Sequence, residues 1–312
     1  MQNTLAFIFP GQGSQSVAML SDFENNDIVQ KTFKEASDAL GYDVWALVNQ
    51  GPAEKLNQTN HTQPALLTAS VALWRLWAST TEVKPSIIAG HSLGEYSALV
   101  CANVISLSDA VTLVEKRGEF MQASVPEGVG AMAAVIGLAD EAIIQACADA
   151  AQDQVVSAVN FNSPGQVVIA GHKDAVERAG ERCKEAGAKR VLPLPVSVPS
   201  HCALMKDAAE KLTLELDKIA FNTPDIPVVN NVDVIAQTDV SEIKTALIKQ
   251  LYSPVRWTET IEHFANNGIT QALEVGPGKV LQGLIKRINK SITCVSLNDN
   301  ASLEKAQALV KE

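Results

Sequence analysis

The chain has 312 residues, enough for one large domain or for a large and a small one, with 46% hydrophobic and 19% charged residues. A net charge of −10 excludes general nucleic-acid binding, because such a chain repels a phosphate backbone. No uncharged apolar run approaches the roughly 18 residues of a membrane span, the opening Met1-Gln2-Asn3-Thr4 lacks the basic stretch of a signal peptide, and the five widely spaced cysteines read as free thiols of a reducing compartment, so a cytoplasmic protein is expected.

Leu5-Ala6-Phe7-Ile8-Phe9 is a short apolar run stopped by Pro10-Gly11, which predicts a buried strand entering a loop. Helical spacing follows from about Pro64 to Trp77. Ser86 to Gly90 predicts a second buried strand, and Leu93 to Cys101 a helix directly after it. Strand, Gly-flanked turn and helix are the order of an α/β sheet, and the low aromatic content with abundant Ala, Val and Leu suits parallel strands covered by helices. Ser106-x-x-Asp109 resembles a capping box and starts a helix to about Ala123.

After Pro126-Glu127-Gly128 the texture changes. Strands are predicted at 131–136, 155–160, 166–170 and 190–196, with helices at 140–151 and 173–186. That β-α-β-β-α-β order is ferredoxin-like. The expected architecture is therefore a large α/β-hydrolase-like domain with a parallel sheet (1–126 and 198–312) and an inserted small ferredoxin-like α+β subdomain (127–197). Beyond it come a helix from about Ala203 to Lys218, a short strand at Val228-Val229-Asn230, a helix before Leu251 and a helix from Trp257 to about Asn267. A strand from Gln271 to Val275 and a helix to about Ile288 complete the reading.

Gly90-His91-Ser92-Leu93-Gly94 fits G-x-S-x-G, in which a strained strand-to-helix turn projects a serine hydroxyl. The helix start behind it offers free N–H groups to an oxyanion. His91, adjacent to the serine, reads as a turn-packing residue. A serine nucleophile needs a base, and of the five histidines His201 has the strongest context, in Pro199-Ser200-His201 where the chain re-enters the large domain. His61, His172 and His263 read as surface or packing residues. No Asp or Glu stands out as the group orienting His201; a backbone carbonyl serves instead, with Gln250 one candidate. The Gly-rich loop Phe9 to Gln15 lacks the lysine and spacing of a P-loop. It is either an ordinary turn or the second wall of an oxyanion hole, with the Gln12 amide paired to that of Leu93.

Arg117 falls on the apolar stripe of its helix, three residues after Val114 and four before Met121. An inward Arg either forms a structural ion pair or awaits an anion, and its planar fork suits a carboxylate. Basic residues cluster at Lys184, Lys189 and Arg190, and again at Lys279, Lys286, Arg287 and Lys290. These are solvated faces or local docking patches for an acidic partner.

These motifs, together with Gln63-Pro64-Ala65, Arg117-Gly118, Asn160-Phe161-Asn162-Ser163-Pro164-Gly165 and Glu274-Val275-Gly276-Pro277-Gly278, carry a resemblance along essentially the whole chain. It resembles the malonyl-CoA:acyl carrier protein transacylases of dissociated bacterial fatty-acid synthesis. The resemblance implies Ser92 as nucleophile, His201 as base, the Gln12 and Leu93 amides as oxyanion hole, Arg117 as the grip on the malonyl carboxylate and the Gln250 main-chain carbonyl as orienter of His201. It adds Asn160 and Ser200 as substrate-binding residues; a small residue before the active histidine goes with malonyl rather than branched acyl units. The partners implied are malonyl-CoA and an acidic acyl carrier protein docking at Lys189, Arg190, Lys286 and Arg287, on a monomer that needs no metal or cofactor beyond the coenzyme A thioester substrate. The rival activities are a thioesterase or esterase passing the acyl group to water, and a transferase for another acyl-CoA.

Overall fold

The structure, a computed structural model, describes residues 4–196 and 198–310. Met1 to Asn3 of the amino-terminal reading, and Ser197 at the expected end of the small subdomain, lie outside the described residues. Nine strands occur among the described residues: β1 (Leu5–Phe9), β2 (Ile87–Gly90), β3 (Gly130–Ile136), β4 (Val156–Ser163), β5 (Gln166–His172), β6 (Arg190–Pro193), β7 (Val228–Val229), β8 (Gln271–Val275) and β9 (Thr293–Leu297). Five form a sheet in the order β7-β2-β1-β8-β9, every pair parallel. The other four form an antiparallel sheet in the order β4-β5-β3-β6. The fold is the α/β class expected, with a parallel sheet and a separate small antiparallel one.

Alternation along β1 explains why the large sheet is buried on both faces. Leu5, Phe7 and Phe9 point to one side, where Phe7 meets Trp74 and Trp77 edge-on at 5.4 and 5.6 Å between ring centroids. Ala6 and Ile8 point to the other, against Trp257, Ile261 and Phe264. In the small sheet, Ala133 and Val135 face the helices Asp140–Ala151 and Lys173–Glu185. Met132, Val168 and Ala170 face Cys202 on the opposite side. The small sheet is tied through β4 to the segment before the Trp257–Asn266 helix: Phe161 N–H donates to Val255 O at 3.0 Å, and Val255 N–H donates to Val159 O at 2.8 Å.

Several expected boundaries move for physical reasons. The strand expected over 190–196 stops at Pro193, since Pro193 and Pro195 have no N–H to extend the ladder. The helix expected from Pro64 begins a turn earlier and runs Thr59–Thr80, with Pro64 inside it. The helix expected from Ala203 opens as a 3-10 turn (Ala203–Met205) before the α-helix Lys206–Leu216. Residues 16–58, unread in the sequence, hold helices Asp27–Leu40, Val44–Gln50 and Ala53–Leu56. Beyond Ile288, β9 and a helix Asn300–Leu309 were also unread. Ser106 caps its helix as expected, accepting from Asp109 N–H at 3.0 Å.

Candidate active site

Strand β2 ends at Gly90 and the Leu93–Cys101 helix begins three residues later, so only His91 and Ser92 turn the chain. Ser92 does so at φ 51° and ψ −108°, a strained conformation for a side-chain-bearing residue. The turn is pressed against the loop after β1. A Cβ at Gly94 would lie 2.1 Å from Phe9 O, and one at Gly11 would lie 2.5 Å from His91 O. Gly94→Ala is expected to cost about 3 kcal/mol, the upper end of overpacking penalties, read as a lower denaturation midpoint. Asn231 spans the turn. Its Oδ1 accepts from Ser92 N–H at 2.7 Å and its Nδ2 donates to Gly90 O at 2.7 Å.

Ser92 Oγ lies 2.8 Å from His201 Nε2. His201 Nδ1 lies 2.7 Å from the main-chain carbonyl of Gln250, which can only accept. Nδ1 therefore carries the proton and Nε2 presents its lone pair to the serine hydroxyl. His201 is buried, with φ 65° held by its own N–H donating to Leu251 O at 2.9 Å. Burial, and next the Arg117 charge, push its pKa down to about 3. A histidine titrating at its ordinary 6.5 would lose about tenfold in free base between pH 7.5 and 5.5. Here kcat/KM is expected to show no such acid limb, and a fall centred near 6.5 in a pH-rate profile would contradict it. The same group weakens the fold in acid, because between about 6.5 and 3 the unfolded chain takes a proton that the folded chain refuses.

Arg117 is 1% exposed. Its Nη1 donates to Gln63 Oε1 at 2.7 Å, and its Nη2 to Gln250 Oε1 at 3.0 Å and to Ser92 Oγ at 3.4 Å. Its Nε is buried without a partner among the described residues. The guanidinium lies 5.3 Å from the Tyr96 ring centroid. A cavity of about 120 Å³ joins Ser92, His201 and Arg117 to Gln12, Leu93, Asn160 and Ser200, with Met121, Met132, Leu194, Val196 and Val198 as its apolar wall. The Gln12 and Leu93 amides have no main-chain acceptor among the described residues, and Leu93 opens its helix, where amides point outward. Asn160 Oδ1 is likewise buried and unpartnered.

His91 lines this cavity too, with Nε2 2.8 Å from Asn162 Oδ1 and its ring tilted on Trp257. His61, His172 and His263 do not line it. Lys189, Arg190, Lys286 and Arg287 are exposed and lie outside the cavity lining. The two clusters nonetheless meet at one end of the small sheet. Arg190 pairs with Ile136, Ile136 pairs with Gln166, and Gln166 Oε1 accepts from Arg287. Four polar residues of the site escaped the sequence reading of roles: Glu95, Gln63, Asn162 and Asn231. Glu95 alone left a signal, as a carboxylate in a helix whose nine residues are otherwise apolar or small apart from Tyr96.

The family model described as acyl transferase domain matches residues 6–308. The malonyl CoA-acyl carrier protein transacylase of Salmonella typhimurium is 64% identical over 302 residues, covering 96% of this chain and 98% of that protein. The crystal structure of an acyl carrier protein S-malonyltransferase from Vibrio cholerae is 64% identical, with TM-score 0.96 over 97% of this chain and 99% of its own. A type II PKS acyl-carrier protein in complex with its malonyl-transacylase matches at 59% identity and TM-score 0.96, over 98% and 99% of the two chains. With near-complete coverage on both sides, the chain belongs to the acyl transferase domain family, within its malonyl CoA-acyl carrier protein transacylases.

Proposed function

We propose that the chain transfers a malonyl group from malonyl-CoA to the pantetheine thiol of an acyl carrier protein, through a malonyl ester on Ser92. The observation that carries this reading is the buried Arg117, its Nε unpartnered among the described residues and its Nη2 3.4 Å from the oxygen of a serine bonded to a neutral histidine. Buried cations are rare without an anion, and a fork beside the nucleophile selects an acyl group that ends in a carboxylate.

His201 takes the Ser92 proton as the hydroxyl attacks the thioester carbonyl. The Gln12 and Leu93 amides receive the oxyanion. Coenzyme A leaves as the thiol, taking the proton from His201. The carrier thiol then attacks the ester with His201 again as base, so the cycle is ping-pong. The main-chain carbonyl of Gln250 keeps His201 in the required tautomer without a carboxylate. Asn160 Oδ1 is an open acceptor for an amide N–H of the pantetheine arm, and Ser200 keeps the wall beside His201 small. An acidic carrier would find Lys189, Arg190, Lys286 and Arg287 at the shared end of the small sheet. The proposed cycle needs no residue from a second copy and runs in a monomer, and five unpaired cysteines support a reducing cytoplasm.

The test is to add malonyl-CoA and then carrier protein, following Ser92 and the carrier by mass. A malonyl adduct on Ser92 that passes to the carrier is expected. Rapid release of free malonate without malonyl-carrier would make the chain a thioesterase instead.

A further inference from the structure

Glu95 is a carboxyl group sealed from solvent on the helix behind the nucleophile, 2% exposed. Its Oε2 accepts from Asn231 N–H at 2.9 Å and from Gln250 Nε2 at 2.9 Å. The other end of the same Gln250 amide, Oε1, accepts from Arg117 Nη2 at 3.0 Å. One amide therefore bridges a buried cation and a buried acid. Among the described residues no carboxylate pairs directly with Arg117. The other charged or titratable groups facing Glu95 are Asp233, past the Asn231 turn, and Tyr96 on its own helix. His201 shares Gln250 as a partner but is neutral.

We propose that Glu95 is the internal counter-anion of Arg117 and takes a proton from solvent when a carboxylate-bearing acyl group occupies the site. This rests on the reading that Arg117 receives the acyl carboxylate. A second anion on Arg117 leaves two carboxylates sharing one cation in a poorly screened interior, where unbalanced charge is costly. Protonating Glu95 restores the balance and leaves the guanidinium to the substrate. Burial has already pushed Glu95 up to about 7, with Arg117 among the groups holding it down; a substrate carboxylate cancels that hold. A separate cavity of about 10 Å³, room for about one water, touches Glu95, Leu99, Asn230 and Gln237 and shares no residue with the acyl cavity. It places room for one water against Glu95 on a side away from the reacting groups.

The chemistry balances. The Ser92 hydroxyl and the malonyl thioester become an ester and a thiol with no net proton, so the proton on Glu95 is additional and returns to solvent when the malonyl group leaves. Glu95 acts through Gln250 and is a positioning residue. By linkage, acylation that takes up a proton is favoured at lower pH. The malonyl-to-acetyl ratio of kcat/KM should therefore rise as pH falls from about 8 to 6.

The experiment mixes the enzyme with malonyl-CoA in weak buffer containing a pH indicator, with mass spectrometry counting adducts. Uptake of up to about half a proton per malonyl adduct is expected at pH 7, where about half of Glu95 is already protonated, rising toward about one near pH 8, and none per acetyl adduct from acetyl-CoA. Glu95→Gln should remove the uptake per adduct formed. If that variant does not fold, the malonyl and acetyl comparison on the unaltered chain decides. Stoichiometric malonyl adduct without proton uptake at any point between about pH 6 and 8 overturns the proposal, as does equal uptake in Glu95→Gln. Failure to form a malonyl adduct is seen separately by mass and removes the functional reading and the proposal together.

Discussion

Ser92→Ala is expected to lower malonyl transfer by at least about 10⁴-fold, the scale of losing a covalent nucleophile. The expectation follows from how little else the substitution disturbs. Among the described residues Ser92 Oγ hydrogen-bonds only to His201 Nε2 and, at 3.4 Å, Arg117 Nη2, while its backbone N–H stays bonded to Asn231. The turn, the oxyanion amides and the carboxylate grip all survive. Malonyl-CoA should therefore still bind, with a Kd within a few-fold of the unaltered chain, while kcat collapses. Equilibrium binding measured beside single-turnover acylation separates the two. A variant that lost binding and turnover together would show that Ser92 holds the site's shape instead of performing its chemistry.

Arg117→Ala carries the second large effect. Removing a buried charged partner of a carboxylate costs about 3–5 kcal/mol, which is roughly 10²–10⁴ in kcat/KM for malonyl-CoA. Acetyl-CoA has no carboxylate to lose and gains space beside Gln63 and Gln250. Its transfer should persist or rise. The selectivity ratio, measured with both thioesters on the same preparation, is expected to fall by the full factor. Arg117→Lys should not restore it, because an ammonium cannot reproduce the fork that addresses Gln63 and Gln250 while offering further N–H groups to an acid. Equal losses on both substrates would make Arg117 a structural residue.

What could be read in the sequence had a local period or a local turn. The nucleophile turn was legible because Gly90 to Gly94 interrupts a strand and opens a helix within five residues. Arg117 was legible because helical spacing put a charge among Val114 and Met121, and the structure buries it there. The Gln250 carbonyl was one open candidate, and folding brings it to 2.7 Å from His201. Asn231 gave no such sign. It follows a two-residue strand and looks like a turn asparagine, yet it fastens Gly90 and Ser92 from 139 and more residues away in sequence. Gln63 and Asn162 also act across helices and sheets, where spacing along the chain carries no information. The helices over 27–56 carry both kinds of signal: Val29, Phe33 and Ala36 recur at helical spacing on the buried face of the first, and caps mark the ends. Asn26 accepts from Ile28 and Val29, Gly41 closes the same helix at φ 78°, and Asp43 starts the next.

The seam at Val255 has a mechanical meaning. Val255 accepts from Phe161 N–H and donates to Val159 O, and Thr258 Oγ1 donates to Phe161 O at 3.0 Å; these bonds stitch the small sheet to the catalytic body along β4. Swinging that sheet outward would break two main-chain bonds and one side-chain bond at once, so the jaw is held on that side. The span between Asn160 and Ser92 then works as a fixed caliper. Which acyl groups pass it is decided by the side chains on its faces, and substrate scope can be retuned one residue at a time without altering how the molecule moves.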